Sequence, residues 1–362
     1  MYLDHAATSP CSQEILDGLA ELAKKSAYNP SSSHQMGIEV RNEITKTRKI
    51  LASMLGCQED EVYFTSGATE SNNMVLKGLK KKGHVISSAI EHDSVENSLL
   101  DLEKQGYRIT RLPPEKLTTE GVMDALCDDT VLVSIMAVQN ELGSIFPLIG
   151  LGKELKRRKI LYHRDGVQAF GKIPFHVEEE QVDYASFSAH KLGGLKGLGM
   201  LYVRRGVELE PLLHGGHQEK GMRPGTENTL GILVLGEVLK TLDLHRNFDQ
   251  VHTLNTKLRE GIQELGGHLL SDADASPYIL GASFGVPGEV LLSALSLKGV
   301  YASAGSACRQ GSHHEARVLP YLDKDLRAGF VRFSLSTQST EEEMDSFLNI
   351  LENTLIELKR YV

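Results

Sequence analysis

The sequence has no surplus of positive charge, no long apolar run and no paired cysteines. Lys and Arg number 39 against 48 Asp and Glu, a net charge of −9 over 362 residues. The broad basic footprint of a nucleic-acid binder is therefore missing. The run Lys80-Lys81-Lys82 reads as a solvated helix end. No uninterrupted apolar stretch approaches the roughly 18 residues of a membrane span. Met1-Tyr2-Leu3-Asp4-His5 has neither the basic nor the apolar region of a secretion signal, so a cytoplasmic protein is expected. The cysteines Cys11, Cys57, Cys127 and Cys308 lie far apart with no C-x-x-C pair. That argues against a zinc ribbon or an iron–sulfur cage and for free thiols. Repeats, low-complexity tracts and a flexible Gly/Ser linker are also lacking.

What is present is an ordinary globular composition, 41% apolar and 24% charged, in a chain long enough for two or three lobes. Between about residues 60 and 205, short apolar runs alternate with amphipathic stretches. The runs are Glu61–Thr65, His84–Ser88, Arg108–Leu112, Val131–Ala137, Lys159–His163, Asp183–Phe187 and Gly199–Val203. Val131–Ala137 lacks a clean polar–apolar alternation, as suits a strand buried on both faces. Helix-like segments Ser71–Lys81, Ser94–Gln105 and Ile149–Arg158 fall between the runs. This order predicts a mostly parallel α/β sheet covered by helices. Ile15–Lys25 and Gly37–Leu55 read as helices before the first strand, and Gly231–Leu242 and Val251–Glu264 as helices after the last. A smaller α+β lobe follows, with strands expected at Tyr278–Phe284, Gly299–Ala302 and Gly329–Ser334. Its helices are expected at Glu289–Leu297 and Glu341–Leu358.

Open α/β sheets bind ligands beyond the carboxyl ends of their strands. The residues there are Ser66-Gly67-Ala68-Thr69, Glu91-His92, Gln139-Asn140-Glu141, Asp165 with Gln168, and Ser188-Ala189-His190-Lys191. Each alone reads as a cap or a surface polar residue. Together they match the needs of one cofactor. Thr69, Ser188 and His190 suit a phosphate. Asp165 suits a protonated pyridine nitrogen, and Gln168 a phenolic oxygen. Lys191 supplies the amine for a Schiff base. That set describes pyridoxal 5′-phosphate.

The chain resembles cysteine desulfurases of the NifS/IscS type, in the class V aminotransferase family. The likeness runs almost end to end. It rests on Tyr2-Leu3-Asp4-His5-Ala6-Ala7-Thr8, Asn29-Pro30-Ser31-Ser32 with His34, Thr65-Ser66-Gly67-Ala68-Thr69-Glu70-Ser71-Asn72, and Glu91-His92. It continues through Asn140-Glu141-Leu142-Gly143, His163 with Asp165 and Gln168, Ser186-Phe187-Ser188-Ala189-His190-Lys191, and Arg223-Pro224-Gly225-Thr226-Glu227-Asn228. It closes with Ser303-Ala304-Gly305-Ser306-Ala307-Cys308 and Val331-Arg332-Phe333-Ser334-Leu335.

The resemblance implies fold type I, with a seven-stranded, mostly parallel sheet, helices on both faces and a smaller α+β domain. It implies a large cofactor domain over 13–247 and a small domain of 1–12 and 248–362 that carries the Cys308 loop. The implied catalytic residues are Lys191, Cys308 and His92. Lys191 bears the cofactor and moves the substrate Cα proton, and His92 stacks on the cofactor ring with an acid/base role. Ala68, Thr69, Asp165, Gln168, Ser188 and His190 complete the implied cofactor site. Thr226 reaches the phosphate of the second subunit of a homodimer. Asn140 and Arg332 grip the substrate carboxylate.

The implied reaction takes sulfur from L-cysteine, leaving L-alanine and a persulfide on Cys308. Arg309, His313 and His314 could help that thiol to ionise. The implied partners are sulfur acceptors: an iron–sulfur scaffold, a tRNA-thiolation protein or an apo cluster enzyme. Direct nucleic-acid or membrane binding and a resident metal are not expected. Leu195, His217, Lys220 and the run Arg309-Gln310-Gly311 depart from the family pattern without removing a catalytic group. A selenocysteine lyase or another class V enzyme, a silent assembly scaffold, and a metal site of Cys308 with His313 and His314 remain as alternatives.

Overall fold

A computed structural model describes residues 1–304 and 316–359. The chain divides into two compact units: Pro10–Ala137 with Phe146–Leu242, and Met1–Ser9 with Val138–Ile145 and Asp243–Val362.

The larger unit opens with helices α1 (Gln13–Lys25) and α2 (Gln35–Leu55). The Ser12 side chain caps α1 by accepting from the Ile15 N–H, and α2 stops where Gly56 turns left-handed at φ 70°, as glycine does at little cost. Strands and helices then alternate: β1 (Val62–Thr65), α3 (Ala68–Lys77), β2 (His84–Ser88), α4 (Asp93–Lys104), β3 (Arg108–Leu112), α5 (Thr119–Asp124) and β4 (Thr130–Ser134). The series ends with α6 (Leu151–Arg157), β5 (Leu161–Asp165), α7 (Val177–Glu180), β6 (Tyr184–Ser188), β7 (Gly199–Val203) and α8 (Thr229–Lys240).

The seven strands form one sheet in the order β1-β7-β6-β5-β4-β2-β3. Pairings from β3 through β2, β4 and β5 to β6 are parallel. β7 runs antiparallel to both β6 and β1. Every residue of β2, β4, β6 and β7 is buried, so both faces of these strands are covered. The apolar stripe of α4 (Val95, Leu99, Leu102) packs with Val85, Val131 and Leu132, and Met74 and Val75 of α3 pack with Tyr184 and Leu201. In the interior His163 lies between Ser134 Oγ at 2.8 Å and Ser186 Oγ at 3.0 Å. Burial, with the Arg164 charge nearby, pushes its pKa down to about 3; it is a neutral, hydrogen-bonded core residue.

The smaller unit contains α9 (Leu244–Glu264), β8 (His268–Leu269), β9 (Ile279–Ser283), α10 (Gly288–Leu297), α11 (Lys324–Arg327), β10 (Phe330–Ser334) and α12 (Glu341–Leu358). Its antiparallel sheet runs β10-β9-β8. A Thr340/Glu343 capping box starts α12. Met1–Asp4 lies alongside, with Leu3 N–H donating to the Tyr301 carbonyl and Ser334 N–H to the Leu3 carbonyl. Leu3, Leu258, Ile279, Leu291, Phe333 and Phe347 belong to its core.

Three expectations need correction. Gly299–Ala302 is not a strand: Tyr301 makes one bridge to Tyr2, and the next bridge is Ser303 to Arg332. The short β8 had no apolar run to announce it. The second corrected expectation concerns the interval 138–145, expected in the large domain. It belongs to the smaller unit because Ser276 N–H donates to the Gly143 carbonyl and Arg332 pairs with Glu141. The boundaries also fall at 9/10 and 242/243 where 12/13 and 247/248 were expected.

Candidate active site

The carboxyl ends of β1, β6 and β5 lie on one edge of the larger sheet. Thr65 and Ser188 flank Gly199 across β1, β7 and β6, and Asp165 pairs with Ser186 on β6. A side chain at Gly199 would meet the Gly67 Cα and carbonyl carbon at 2.4 Å. The missing Cβ therefore lets the Ser66-Gly67 turn descend onto the sheet and start α3 at Ala68. Gly67 offers no side-chain cap, so first-turn N–H groups and the exposed Thr69 hydroxyl suit an anion.

Asp165 is buried at the end of β5. Its Oδ2 accepts from Asn72 Nδ2 at 2.8 Å and its Oδ1 from Val167 N–H at 3.0 Å. Each carboxylate oxygen thus accepts one hydrogen bond, an arrangement suited to facing a ring N–H⁺. Gln168 is buried nearby in the chain, and its Oε1 accepts from the buried Lys172 Nζ at 2.6 Å. That bond assigns the oxygen side of the Gln168 amide to Lys172, and its N–H₂ is the donor side of the group. Ser188 is buried, and His190 and Lys191 follow in a single 3-10 turn, half-buried. Burial, then the Lys191, Lys196 and Lys172 charges, push the His190 pKa down to about 4. His190 is thus neutral near pH 7, a dipolar N–H beside lysine charge.

His92 caps α4 and is exposed. Its neighbour Glu91 is fully buried, accepting from Ser88 Oγ at 2.5 Å and Met136 N–H at 2.9 Å through Oε1. Thr226 is exposed in the turn before α8 and lines a small cavity with Ser66, Gly197 and Arg223.

In the smaller unit the buried Arg332 is already engaged. Its Nη1 donates to the Asn140 carbonyl at 2.9 Å and to Glu141 Oε2 at 3.2 Å, and its Nη2 to Asp4 Oδ1 at 2.8 Å. Asn140 Nδ2 donates to Glu141 Oε1 at 2.9 Å. The two residues expected at the substrate carboxylate are thus brought together, within a cluster whose acids the sequence did not assign. Cys308, Arg309, His313 and His314 lie outside the described residues. Among the described residues no cluster of histidine, cysteine and carboxylate side chains is placed to hold a metal. No helix among them is long and apolar enough to cross a membrane.

Sequence reasoning gave no role to Asn72, Ser94, Glu91 or Lys172. Asn72 and Glu91 fell inside quoted motifs; Lys172, four residues after Gln168, carried the only spacing that could have suggested a pairing.

Known proteins resemble this chain from end to end. A cysteine desulfurase IscS of Dictyoglomus turgidum is 39% identical over 378 residues, covering 99% of this chain and 95% of the relative. A cysteine desulfurase IscS of Methanosarcina thermophila is 36% identical, covering 99% and 93%. Among solved structures, a NifS-like protein superposes with a TM-score of 0.91 at 36% identity, covering 98% of this chain and 99% of that one. A structure described as SspA in complex with cysteine gives a TM-score of 0.83 at 32% identity, covering 94% and 99%. The aminotransferase class-V profile matches residues 1–347, so nearly all of both units is accounted for and the chain belongs to the aminotransferase class-V family.

Proposed function

We propose that this protein is a pyridoxal 5′-phosphate-dependent cysteine desulfurase. The observation that carries the reading is the strand-end edge. Thr69, Asp165, Gln168, Ser188, His190 and Lys191 stand at or just after the carboxyl ends of β1, β5 and β6 in one sheet, in a chain alike over its whole length to proteins named cysteine desulfurases.

The donor set fits the cofactor. The α3 N-terminus at Ala68 and Thr69, with Ser188 and His190, would hold the phosphate. Asp165, held in place by Asn72 and Val167, would hold the pyridine nitrogen. Gln168, turned by Lys172, would donate to the phenolic oxygen. His92 would lie against the ring, and Lys191 would carry the cofactor. When bound, the cofactor supplies an electron sink for the substrate's Cα. The Lys191 amine takes and returns the Cα proton, and Arg332 with Asn140 receives the substrate carboxylate.

Overall, the substrate Cβ–S bond breaks and an S–S bond forms on the Cys308 thiolate. Cβ keeps the electron pair as a C–H bond after protonation, so L-cysteine and one thiol give L-alanine and one persulfide. Cys308 takes this role on sequence grounds. We assign the protein to the cytoplasm and to a homodimer in which Thr226 serves the second copy's phosphate. Its partners would be protein sulfur acceptors of iron–sulfur or thiolation pathways.

Purified protein with L-cysteine and a reductant is expected to release alanine and sulfide. Lys191→Ala and Cys308→Ala are both expected to abolish release. Wild-type protein that binds the cofactor yet forms no alanine would overturn the reading. Alanine formed at the wild-type rate by Cys308→Ala would replace it with a lyase-type reaction.

A further inference from the structure

Asn72, Ser94, His92 and Asp165 form one line of hydrogen bonds. His92 is the N-cap of α4, with extended backbone at φ −62° and ψ 150°. Its Nδ1 accepts from the Ser94 backbone N–H at 3.1 Å. An amide N–H can only donate, so the Nδ1 lone pair faces it and the ring proton belongs on Nε2. Ser94 Oγ lies 2.8 Å from the same Nδ1. That oxygen receives Asn72 Nδ2 at 2.9 Å, which leaves the hydroxyl proton for the ring. The other Nδ2 hydrogen goes to Asp165 Oδ2 at 2.8 Å. Reversing the Asn72 amide would set its oxygen against a carboxylate, so the partners fix its orientation. Asn72 and Ser94 are both buried. Donation therefore runs outward from Asn72, to Asp165 on one side and through Ser94 to His92 on the other.

We propose that Asn72 and Ser94 are positioning residues that hold His92 as the neutral Nε2–H tautomer and tie that tautomer to the placement of Asp165. A second ring proton would have to enter at Nδ1, against the Ser94 N–H and at the expense of the α4 cap. His92 thus works as a flat face and an Nε2–H donor, while proton movement falls to Lys191. Its assignment to the reaction rests on the desulfurase reading; the tautomer does not.

The ionisable groups on α4 and on the elements packed against it are mostly paired. Asp93 and Glu91 adjoin His92, Glu96 and Glu103 both pair with Arg111 of β3, and Lys104 ends the helix. On α3, Glu70 pairs with Arg223 and Lys77 with Asp101. Arg108 of β3 pairs with Asp129, and Asp165 is reached through Asn72.

The test is nitrogen NMR of the cofactor-loaded enzyme labelled with ¹⁵N-histidine. The His92 signals are identified by their loss in His92→Gln. Expected are an unprotonated Nδ1 and a protonated Nε2, unchanged across about pH 6 to 8, where an ordinary histidine titrates near 6.5. A protonated Nδ1, or a ring that titrates in that window, overturns the proposal. Alanine release by the same wild-type sample tests the desulfurase reading separately. Ser94→Ala is expected to raise the ring's proton affinity about tenfold, seen as a shift of about one pH unit, and Ser94→Thr to restore the wild-type signals. Ser94→Ala signals identical to wild type would also overturn it. Asn72→Leu is expected to shift the ring in the same way and to weaken cofactor binding about tenfold; should it fail to fold, the wild-type and Ser94 spectra still decide.

Discussion

A buried lysine that donates to a glutamine oxygen decides which way the glutamine faces. Lys172 does this to Gln168 at 2.6 Å, and its charge also helps to hold the His190 pKa down. Lys172→Met keeps the aliphatic stem and removes both effects. It is expected to weaken cofactor binding about tenfold, the size of a lost hydrogen bond to a charged group, measured by absorbance titration of the apoprotein. The same change should raise the His190 pKa. Glu91 offers a second test of a buried charge. Burial, with the Asp165 charge adding to it, pushes its pKa up to about 8 against the opposing Ser88 and Met136 hydrogen bonds. The folded state therefore holds a proton that the unfolded chain releases near 4.3. The contribution to stability is full below that value and is lost as pH rises through about 8. Glu91→Gln, neutral at every pH, is expected to remove this loss. Thermal melts should show the wild type falling further than the variant between pH 5 and about 9.

At the scale of elements, the contact between β7 and the start of α3 is the tightest constraint on the proposed phosphate site. A Cβ on Gly199 would meet backbone atoms of Gly67 at 2.4 Å and Thr65 Oγ1 at 2.6 Å, and backbone cannot rotate away. Gly199→Ala is expected to cost about 1–3 kcal/mol by overpacking and to weaken cofactor binding, because the turn carrying Ala68 and Thr69 must lift. Gly18→Ala in α1, where nothing lies within 4 Å, is the control. It should stabilise by up to about 1 kcal/mol through helix propensity. Denaturant melts compare the two. The elements themselves were largely legible. The seven expected strands of the larger sheet all form, because buried parallel strands leave dense apolar runs and their carboxyl ends carry the polar clusters. Gly299–Ala302 misled because an apolar run looks alike whether it forms a ladder or a single isolated bridge. The Asn72–Ser94–His92–Asp165 line was illegible for a different reason. Asn72 and Asp165 stand 93 residues apart, and periodicity says nothing about which side chains meet across a sheet.

At the scale of the molecule, the smaller unit is assembled from three separated stretches of chain, and Arg332 touches all three. From β10 it reaches Asp4 at 2.8 Å, Glu141 at 3.2 Å and the Asn140 carbonyl at 2.9 Å. Its side chain is 6% exposed and that of Glu141 5%. Removing the guanidinium would leave Glu141 and Asp4 without their cation. Arg332→Ala is therefore expected to cost about 3–5 kcal/mol. Lys298→Ala, which breaks the exposed pair with Glu357, should cost at most about 1 kcal/mol. The same cluster bears on substrate affinity. If Arg332 receives the carboxylate of L-cysteine, that carboxylate competes with Asp4 and Glu141 for one fork. Asp4→Asn separates structure from competition, since its amide oxygen still accepts from Nη2 while the negative charge is gone. The expected result is a KM for L-cysteine several-fold lower with kcat little changed, the pattern of an altered uniform binding term. A KM that rises instead would mean that the Asp4 charge holds the guanidinium where the substrate needs it. Steady-state alanine release by the two proteins, beside their melting curves, distinguishes these outcomes.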